Sequence, residues 1–212
     1  MDTILSIGII FKNDIRCIER CLKALQPLRD AVPCELVMAD TGSDDGSRAV
    51  AEKYADTLFD FPWINDFAAA RNAVIDRCTG EWYLSVDTDE YMDEDVEEIS
   101  QFLLTENQSC NLCRVTIRNY RDYSMDGSYA DFYTLRMVRL SIGARYQGAI
   151  HEAWTGLERA GSALQFTKTI FHHDGYVNMA QNPEKLKRNM SLLRDKVKSD
   201  PKNLLTRLQI IE

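Results

Sequence analysis

Three carboxylates, Asp87, Asp89 and Glu90, directly follow a short run of mostly apolar residues at positions 82–86. Aromatic and β-branched residues in such a run predict a buried strand. Like charges a few ångströms apart raise one another's pKa or bind a cation. Residues 81–106 contain ten Asp or Glu and no Lys or Arg, so no basic neighbour in the sequence neutralises them. We therefore predict a divalent cation at Asp87 and Asp89, whereas the acids at 93–98 fit the solvated start of a helix.

The composition is that of an ordinary soluble domain, with 45% hydrophobic and 27% charged residues among 212. A net charge of −8 argues against nucleic acid as the main partner. No apolar run approaches the roughly 18 residues that span a bilayer, and the N-terminus has no signal-peptide pattern. These features predict a cytoplasmic chain without a transmembrane segment, whose cysteines are free thiols.

The first ninety residues alternate strand-like and helix-like patterns as β-α-β-α-β-α-β. This order predicts an α/β fold with a mostly parallel sheet, in which ligands bind beyond the carboxyl ends of the strands. Polar residues follow the first, second and fourth predicted strands, namely Asn13, Asp40, Asp87 and Asp89. The second half, beyond Cys110, is strand-like and predicted to be antiparallel. An amphipathic helix over 183–199 and another over 201–212 are predicted to follow.

Several nucleotide and hydrolase sites are excluded by the motifs that the chain lacks. It has no G-x-G-x-x-G, no G-x-x-x-x-G-K-[ST] and no G-x-S-x-G, which argues against a dinucleotide Rossmann site, a P-loop and a nucleophile elbow. Hard oxygen ligands at an acidic sheet edge favour Mg²⁺ or Mn²⁺. Such a cation commonly bridges carboxylates and phosphates, so a nucleotide-activated donor is the expected ligand.

Four stretches in order carry a resemblance to a known family. They are F-K-N-D at 11–14, V-M-A-D-T-G-S-D-D-G at 37–46, N-D-F-A-A-A-R-N at 65–72 with T-G-E-W at 79–82, and D-T-D at 87–89. D-x-D alone is common in acidic chains, but the ordered set resembles family 2 glycosyltransferases of the GT-A fold. The fold class is then α/β: a GT-A, Rossmann-like, mostly parallel central sheet flanked by helices, with a small antiparallel second half and C-terminal helices.

Two later stretches are similar to a bacterial subgroup of that family. They are G-A-I-H-E at 148–152 and I-F-H-H-D-G-Y at 170–176. In that subgroup the transferase domain is often joined to tetratricopeptide-like helices, which residues 183–212 resemble. The resemblance implies a transferase domain over 1–180 and a helical segment over 181–212, the start of a truncated helical-repeat region, since one such unit cannot bury its own apolar face.

The resemblance also implies a donor site and a metal site. The donor, a UDP-sugar in such enzymes, would contact Phe11, Asn13, Asp40, Arg71, Asp87 and Thr88. Asp40 would hydrogen-bond the base, Asp87 would approach the ribose and the metal, and Arg71 would help hold the diphosphate. The cofactor would be Mn²⁺ or Mg²⁺, ligated by Asp87, Asp89 and His172, with His173 as the less favoured histidine.

Transfer in this family is inverting, by direct displacement, and needs a carboxylate base for the acceptor's proton. Glu152 is the candidate, with Asp174 or an acid of the 120s loop as alternatives. His151 and Trp154 are placed in the acceptor pocket, although core packing explains Trp154 equally well. The acceptor, transferred hexose and oligomeric state are left open: the acceptor is a polysaccharide end, a lipid-linked sugar or a peptide, and the inner face of the membrane is a further candidate location.

Two other functions compete with sugar transfer. A non-catalytic adaptor would use a vestigial GT-A domain and bind partners through its C-terminal helices. A sugar nucleotidyltransferase would need a Gly- and basic-rich loop for a triphosphate near the N-terminus, and residues 8–16 do not supply one. The joint presence of Asp40, Asp87, Asp89 and Glu152 favours the glycosyltransferase.

Overall fold

A computed structural model of the chain describes residues 2–105, 110–120, 128–174 and 183–199. The strands are β1 (Leu5–Phe11), β2 (Cys34–Asp40), β3 (Thr57–Asp60), β4 (Trp82–Ser85), β5 (Glu90–Met92), β6 (Leu112–Tyr120), β7 (Tyr129–Arg139), β8 (Arg145–Gln147), β9 (Ala153–Thr155) and β10 (Leu164–His173). The helices are α1 (Ile18–Ala24), α2 (Gln26–Ala31), α3 (Ser47–Ala51), α4 (Phe67–Ile75), α5 (Glu97–Leu104) and α6 (Pro183–Ser199). Eight strands form one sheet in the order β3-β2-β1-β4-β7-β6-β10-β5, and β8 and β9 form a small antiparallel sheet.

The parallel half of the sheet is built around β1. This strand pairs in parallel with β2 on one side and β4 on the other. Its apolar side chains are buried on both faces, as expected where helices cover both sides of a sheet. The predicted mostly parallel central sheet is confirmed, and β1, β2 and β4 end at a common edge.

The antiparallel half continues the same sheet. Strand β7 pairs antiparallel with β4, with Tyr83 opposite Val138, and also antiparallel with β6. The last large strand, β10, runs parallel to β6. The long strands of the second half therefore belong to the same sheet as β1 to β4, because β7 pairs with the side of β4 that faces away from β1.

Strand β5 shows that the sheet is curled. Only residues 86–89 separate β4 from β5, so Ser85 and Glu90 are at most about 18 Å apart. Yet β5 pairs with β10, at the far end of the strand order, and this pairing sets Glu90 opposite His173. The acidic turn therefore joins the middle of the sheet to its outer edge. Strand β5 is not predictable from the sequence, because three residues are too few for a strand pattern.

Helix α6 packs against the α/β domain. Its Leu192 and Leu193 are buried with Ile150, and Trp63 and Phe67 lie against this cluster. Lys196 Nζ donates a hydrogen bond to the Ile150 carbonyl at 2.9 Å. The predicted helix over 201–212 and the boundary at 180–181 lie outside the described residues, so the tetratricopeptide-like segment stays a prediction. Across the described ranges, no helix combines the length and apolarity needed to cross a membrane.

Glu98 on α5 holds an irregular stretch of β10. Its carboxylate accepts hydrogen bonds from the backbone N–H groups of Thr167, Lys168 and Thr169 at 2.8–2.9 Å. The pairing of β10 with β6 shifts register across these residues, so the carboxylate satisfies backbone donors of the irregular segment. Burial raises the pKa of Glu98, but these hydrogen bonds outweigh it and leave the pKa below its ordinary value.

Glu98→Gln is expected to lower the free energy of unfolding by about 1–2 kcal/mol at pH 7, after allowance for partial solvent screening. Because the folded-state pKa is depressed, the carboxylate's contribution is complete above its unfolded pKa of about 4.3 and is lost as pH falls through the folded pKa. Urea unfolding of both proteins between pH 7 and pH 3.5 checks this. A stability difference that widens as the pH drops would contradict it.

Candidate functional site

The loops after β1 and β2 are tied together at the sheet edge. The Asn13 N–H donates to Ser43 Oγ at 3.1 Å, and the Asp44 N–H donates to Asn13 Oδ1 at 2.9 Å. Asn13 has a positive φ of 55°, which asparagine tolerates better than most residues. The Asp14 N–H likewise donates a hydrogen bond to Ser47 Oγ at 2.8 Å. These contacts make the two loops one platform beside the ends of the strands.

Phe11 and Asp40 lie side by side as the last residues of β1 and β2. Asp40 is 3% exposed, and its Oδ1 accepts hydrogen bonds from the N–H groups of Gly42 and Ser43. Arg48 Nη1 is 3.6 Å from its other oxygen. Asp40 therefore shapes the turn after β2 as well as facing the edge where a ligand would bind.

Asp87 lies in the middle of an alternating row of charges, Glu152–Arg71–Asp87–Arg136–Glu90, which we call the charge chain. Arg71 on α4 donates from Nη2 to Asp87 Oδ1 and from Nε to Glu152 Oε1, both at 2.6 Å. Arg136 on β7 donates from both terminal nitrogens to Asp87 Oδ2 at 3.2 Å and also to Glu90. The chain connects the acidic turn to the loop that carries Glu152.

Burial and pairing set the protonation behaviour of the charge chain. Burial raises the pKa of Asp87, but the charges of Arg71 and Arg136 outweigh it and hold the pKa well below its ordinary range. Burial raises the pKa of Glu90 to about 7, against the opposing charge of Arg136. Asp87 is thus ionised at neutral pH, whereas Glu90 is the weaker acid of the two.

The charge chain changes two of the sequence-based expectations. Arg71 and Arg136 come from distant parts of the chain and neutralise Asp87 and Glu90, so the acidic cluster does not depend on a metal alone. Arg71 was expected to face a diphosphate, but its three donor groups go to Glu152, Ser85 and Asp87. Arg136 is a residue of this site that was not predicted from the sequence. Its only sequence signal is an arginine inside an otherwise apolar strand segment, T-L-R-M-V.

Asp89 faces a histidine across the curled sheet. His173 Nε2 lies 3.6 Å from Asp89 Oδ2, and its Nδ1 shares a hydrogen bond of 2.6 Å with Asn119 Oδ1. Burial lowers the pKa of His173, but the contact with Asp89 and the nearby charges of Glu90 and Asp87 outweigh it and raise the pKa. Thr88, between the two aspartates, donates its hydroxyl to Asp14 Oδ2 at 2.7 Å. The D-x-D turn is thereby fixed to the loop after β1.

His172, the expected metal ligand, is turned away from Asp89. Its Nδ1 shares a hydrogen bond with the Tyr120 hydroxyl and its Nε2 with Asp93 Oδ1, each at 2.6 Å. Its ring is stacked against those of Tyr91 and Tyr120. Neighbouring residues of a strand face opposite sides, so only one of the two histidines can face the turn. In the structure His173 faces the turn and His172 does not, so His173, the less favoured histidine of the sequence, is the one that lies next to Asp89.

On the opposite side of Arg71 lie the residues expected to meet the acceptor. Glu152 has a side chain 14% exposed, with Oε1 held by Arg71. His151 is exposed and has a positive φ of 50°. Trp154 stacks against Tyr146 with ring centroids 3.9 Å apart, and its Nε1 donates to the Leu135 carbonyl at 3.4 Å, which is a packing role. The alternative base Asp174 is paired with Arg20, and residues 121–127 of the 120s loop lie outside the described residues.

A comparison with protein-family models decides the family. The model described as glycosyl transferase family 2 matches residues 6–173. The chain belongs to glycosyl transferase family 2. Among curated proteins, this family member is 24% identical over 203 residues to the SPbeta prophage-derived glycosyltransferase SunS of Bacillus subtilis, an alignment of 92% of this chain and 46% of SunS. The chain spans less than two thirds of the length of the curated relatives that it matches.

Solved structures of glycosyltransferases share the fold. TarS 1–349 of S. aureus in complex with UDP superposes with a TM-score of 0.58 at 12% identity, over 98% of this chain and 70% of TarS. The mannosyltransferase PcManGT of Pyrobaculum calidifontis, in complex with GDP-Man and Mn²⁺, superposes with a TM-score of 0.59 at 14% identity, over 93% and 65%. The curled, mostly parallel sheet with its small second sheet is the GT-A fold.

Proposed function

We propose that this family 2 member transfers a sugar from a nucleotide-sugar donor, with UDP as the nucleotide, to an acceptor hydroxyl with inversion at the sugar carbon. The observation that carries the proposal is the pair Asp89 and His173 at the edge where β1, β2 and β4 end. Phe11, Asp40 and Thr88 surround the same edge. Support also comes from family membership and from neighbours of the same fold whose structures hold UDP or GDP-Man with Mn²⁺.

The residues at this edge fit a divalent cation. Among the described residues, no group of three or more His, Cys, Asp or Glu is arranged to hold a metal alone. The Asp89 carboxylate and the His173 imidazole can nevertheless supply part of a metal's coordination shell, since Mg²⁺ is commonly bound by one or two carboxylates plus ligand phosphates. Asn119 Oδ1 is hydrogen-bonded to Nδ1 of His173 and so leaves Nε2 to face the cation, as the hydrogen-bond partners of metal-binding histidines commonly do. We propose Mn²⁺ or Mg²⁺ on Asp89 and His173, where it would stabilise the charge of the leaving diphosphate.

We assign Asp87 and Arg71 to positioning. Both Asp87 oxygens are occupied by arginines, so it anchors the turn that carries Asp89 and stays within reach of a ribose. Arg71 holds Glu152 Oε1, which leaves the second Glu152 oxygen to take the acceptor's proton. The acceptor oxygen then attacks the sugar carbon from the side opposite the nucleotide, the bond from that carbon to the diphosphate oxygen breaks, and the nucleoside diphosphate leaves with the electron pair.

The remaining details are also proposals. The transferred group is a hexose, the acceptor is a sugar, lipid-linked sugar or peptide hydroxyl, and the reaction is placed in the cytoplasm or at the inner face of the membrane. His151, exposed and next to Glu152, is assigned to the acceptor side.

A non-catalytic adaptor is the alternative function. The charge chain counts against it, because burying five charged groups is energetically costly and an adaptor would have no use for them.

A panel of UDP- and GDP-sugars tests the proposed function. Each is mixed with the protein and Mn²⁺, Mg²⁺ or EDTA, and both melting temperature and nucleotide release are measured. A true donor raises the melting temperature, because it binds only the folded state, and is slowly hydrolysed in a metal-dependent manner. If no sugar nucleotide raises the melting temperature or releases nucleotide with either metal, the proposed function is wrong.

The two histidines make a matched pair for the metal site. His173→Ala is expected to weaken Mn²⁺ binding in the presence of UDP at least about tenfold, because it removes a ligand. His172→Phe keeps the ring between Tyr91 and Tyr120 and should change Mn²⁺ affinity by less than about threefold, a difference well below 1.4 kcal/mol. Titration of Mn²⁺ into each UDP complex measures both. A larger loss in His172→Phe would return the metal role to His172.

A further inference from the structure

Helix α6 packs beside the loop that carries Glu152. One of its faces contains Arg188, Leu192 and Lys196, spaced by four residues so that they share a face. Leu192 is buried beside Ile150, and Lys196 reaches the Ile150 carbonyl, next to His151 and Glu152. Arg188 is eight residues earlier, about 12 Å along the helix axis. Arg188 itself lies over Phe67, which is one turn of α4 before Arg71, the partner of Asp87. The helix therefore runs from the loop that carries the candidate base toward the turn of α4 next to Asp87.

Arg188 is held over two aromatic rings. Its guanidinium carbon lies 5.0 Å from the centroid of Phe67 and 5.8 Å from that of Trp63. Those rings contact each other edge to face, and the Phe67 N–H is bound by the Ala149 carbonyl. Stacking of this kind orients an arginine while leaving the edge of its guanidinium free. Among the described residues, only Nε makes a hydrogen bond, to Asn189 Oδ1 at 3.2 Å.

Asp14, which is hydrogen-bonded to Thr88 of the D-x-D turn, interacts electrostatically with Arg188. Burial lowers the pKa of Arg188, and the carboxylate of Asp14 opposes this change. Asp14 in turn accepts the hydrogen bond from Thr88, so it belongs to the same edge. Arg188 also lies over Phe67, one turn of α4 from the Arg71 that binds Asp87, so it is next to the charge chain without being part of it.

The two arginines of the charge chain are already paired with carboxylates, so they are not available to a donor's phosphates. Asp14, Asp87, Asp89, Glu90 and Glu152 meet at the site, while Arg71 and Arg136 are committed to carboxylates within the charge chain. A donor diphosphate adds negative charge, and the leaving nucleoside diphosphate carries more than the donor did. A forked guanidinium is well suited to phosphate oxygens.

We propose that Arg188, delivered by α6 over Phe67 and Trp63, is the arginine that binds the diphosphate of the donor, the role that the sequence suggested for Arg71. This inference rests on the proposed function. It makes α6 part of the donor site rather than an appendage, and it predicts that Arg188 recognises the phosphates and not the nucleoside.

Calorimetric titration of UDP and of uridine, each with Mn²⁺, separates the two parts of the ligand. Arg188→Met keeps an apolar stem over the rings and removes the charge, so UDP affinity should fall at least about tenfold, the effect of losing one charge-assisted contact, while uridine affinity stays unchanged. Arg188→Lys, which keeps the charge, should recover part of the loss. Arg194→Gln, an exposed arginine on the same helix, is the matched control and should bind UDP as the wild type does.

Each result has a distinct meaning. Equal UDP affinity in wild type and Arg188→Met overturns the inference while leaving the proposed function intact. An equal loss for UDP and uridine also overturns it, because α6 would then only shape the nucleoside pocket. If the wild type itself binds neither UDP nor GDP with Mn²⁺, the proposed function fails and this inference fails with it. Melting curves of all variants verify that the α6 substitutions leave the fold intact.

Discussion

Asp89→Asn is expected to reduce metal-dependent nucleotide release from the sugar donor by about a hundredfold to a thousandfold, the scale seen when one group that stabilises the leaving charge is removed. Asp89 is the only residue of the D-x-D turn whose carboxylate faces His173, and Asp87 cannot replace it because both its oxygens are held by Arg71 and Arg136. The measurement is initial-rate UDP release at saturating Mn²⁺, with the donor found in the thermal-shift panel.

Glu94→Gln is the control for this substitution. It removes the same charge from an exposed position five residues later, so it should keep nearly full activity and the same melting temperature. Activity in Asp89→Asn within tenfold of the wild type, with Mn²⁺ still required, would show that the cation binds elsewhere.

Arg136→Met is expected to lower the free energy of unfolding at alkaline pH by about 3–5 kcal/mol, because the buried Glu90 must then either stay charged without a partner or take up a proton on folding. The side chain of Glu90 is 3% exposed and would lose its only arginine among the described residues. In Arg136→Met/Glu90→Gln the charge and its partner are removed together, so the double variant should be more stable than Arg136→Met alone. Urea unfolding of the two single variants and the double variant measures the coupling.

The matched control for Arg136 is Arg145→Met. Arg145 pairs with Asp76 at 3.3 Å, and both side chains are about half exposed, so its loss should cost less than about 1 kcal/mol. If the effects of Arg136→Met and Glu90→Gln simply add, the charge chain is not a coupled unit and the electrostatic description given for it is incorrect.

The parallel half of the sheet and its acidic edge were predictable from the sequence because their signals are local. Buried strands such as β1 are continuous apolar runs, and polar residues mark where they end. The sequence alone therefore places Asp40, Asp87 and Asp89 at one edge. The later strands β6, β7 and β10 also had recognisable patterns, but their place in the sheet depends on which edge they pair with.

The remainder of the site depends on long-range geometry. Arg136 lies 49 residues from Asp87, and nothing near either residue indicates that β7 will pair with β4. The choice between His172 and His173 depends on which side of β10 faces the turn, and that is set by the pairing with the three-residue strand β5. A shift of one residue exchanges the faces, so adjacent histidines could not be distinguished from the sequence.

The claim that Asp89 and His173 hold a donor-bound cation is tested most directly by calorimetric titration of UDP into the wild-type protein, first with Mn²⁺ and then with EDTA. UDP is expected to bind at least about a hundredfold more tightly with Mn²⁺, a difference of roughly 2.7 kcal/mol, and His173→Ala should lose most of that difference. Equal UDP affinity with Mn²⁺ and with EDTA would contradict the metal-dependent donor site.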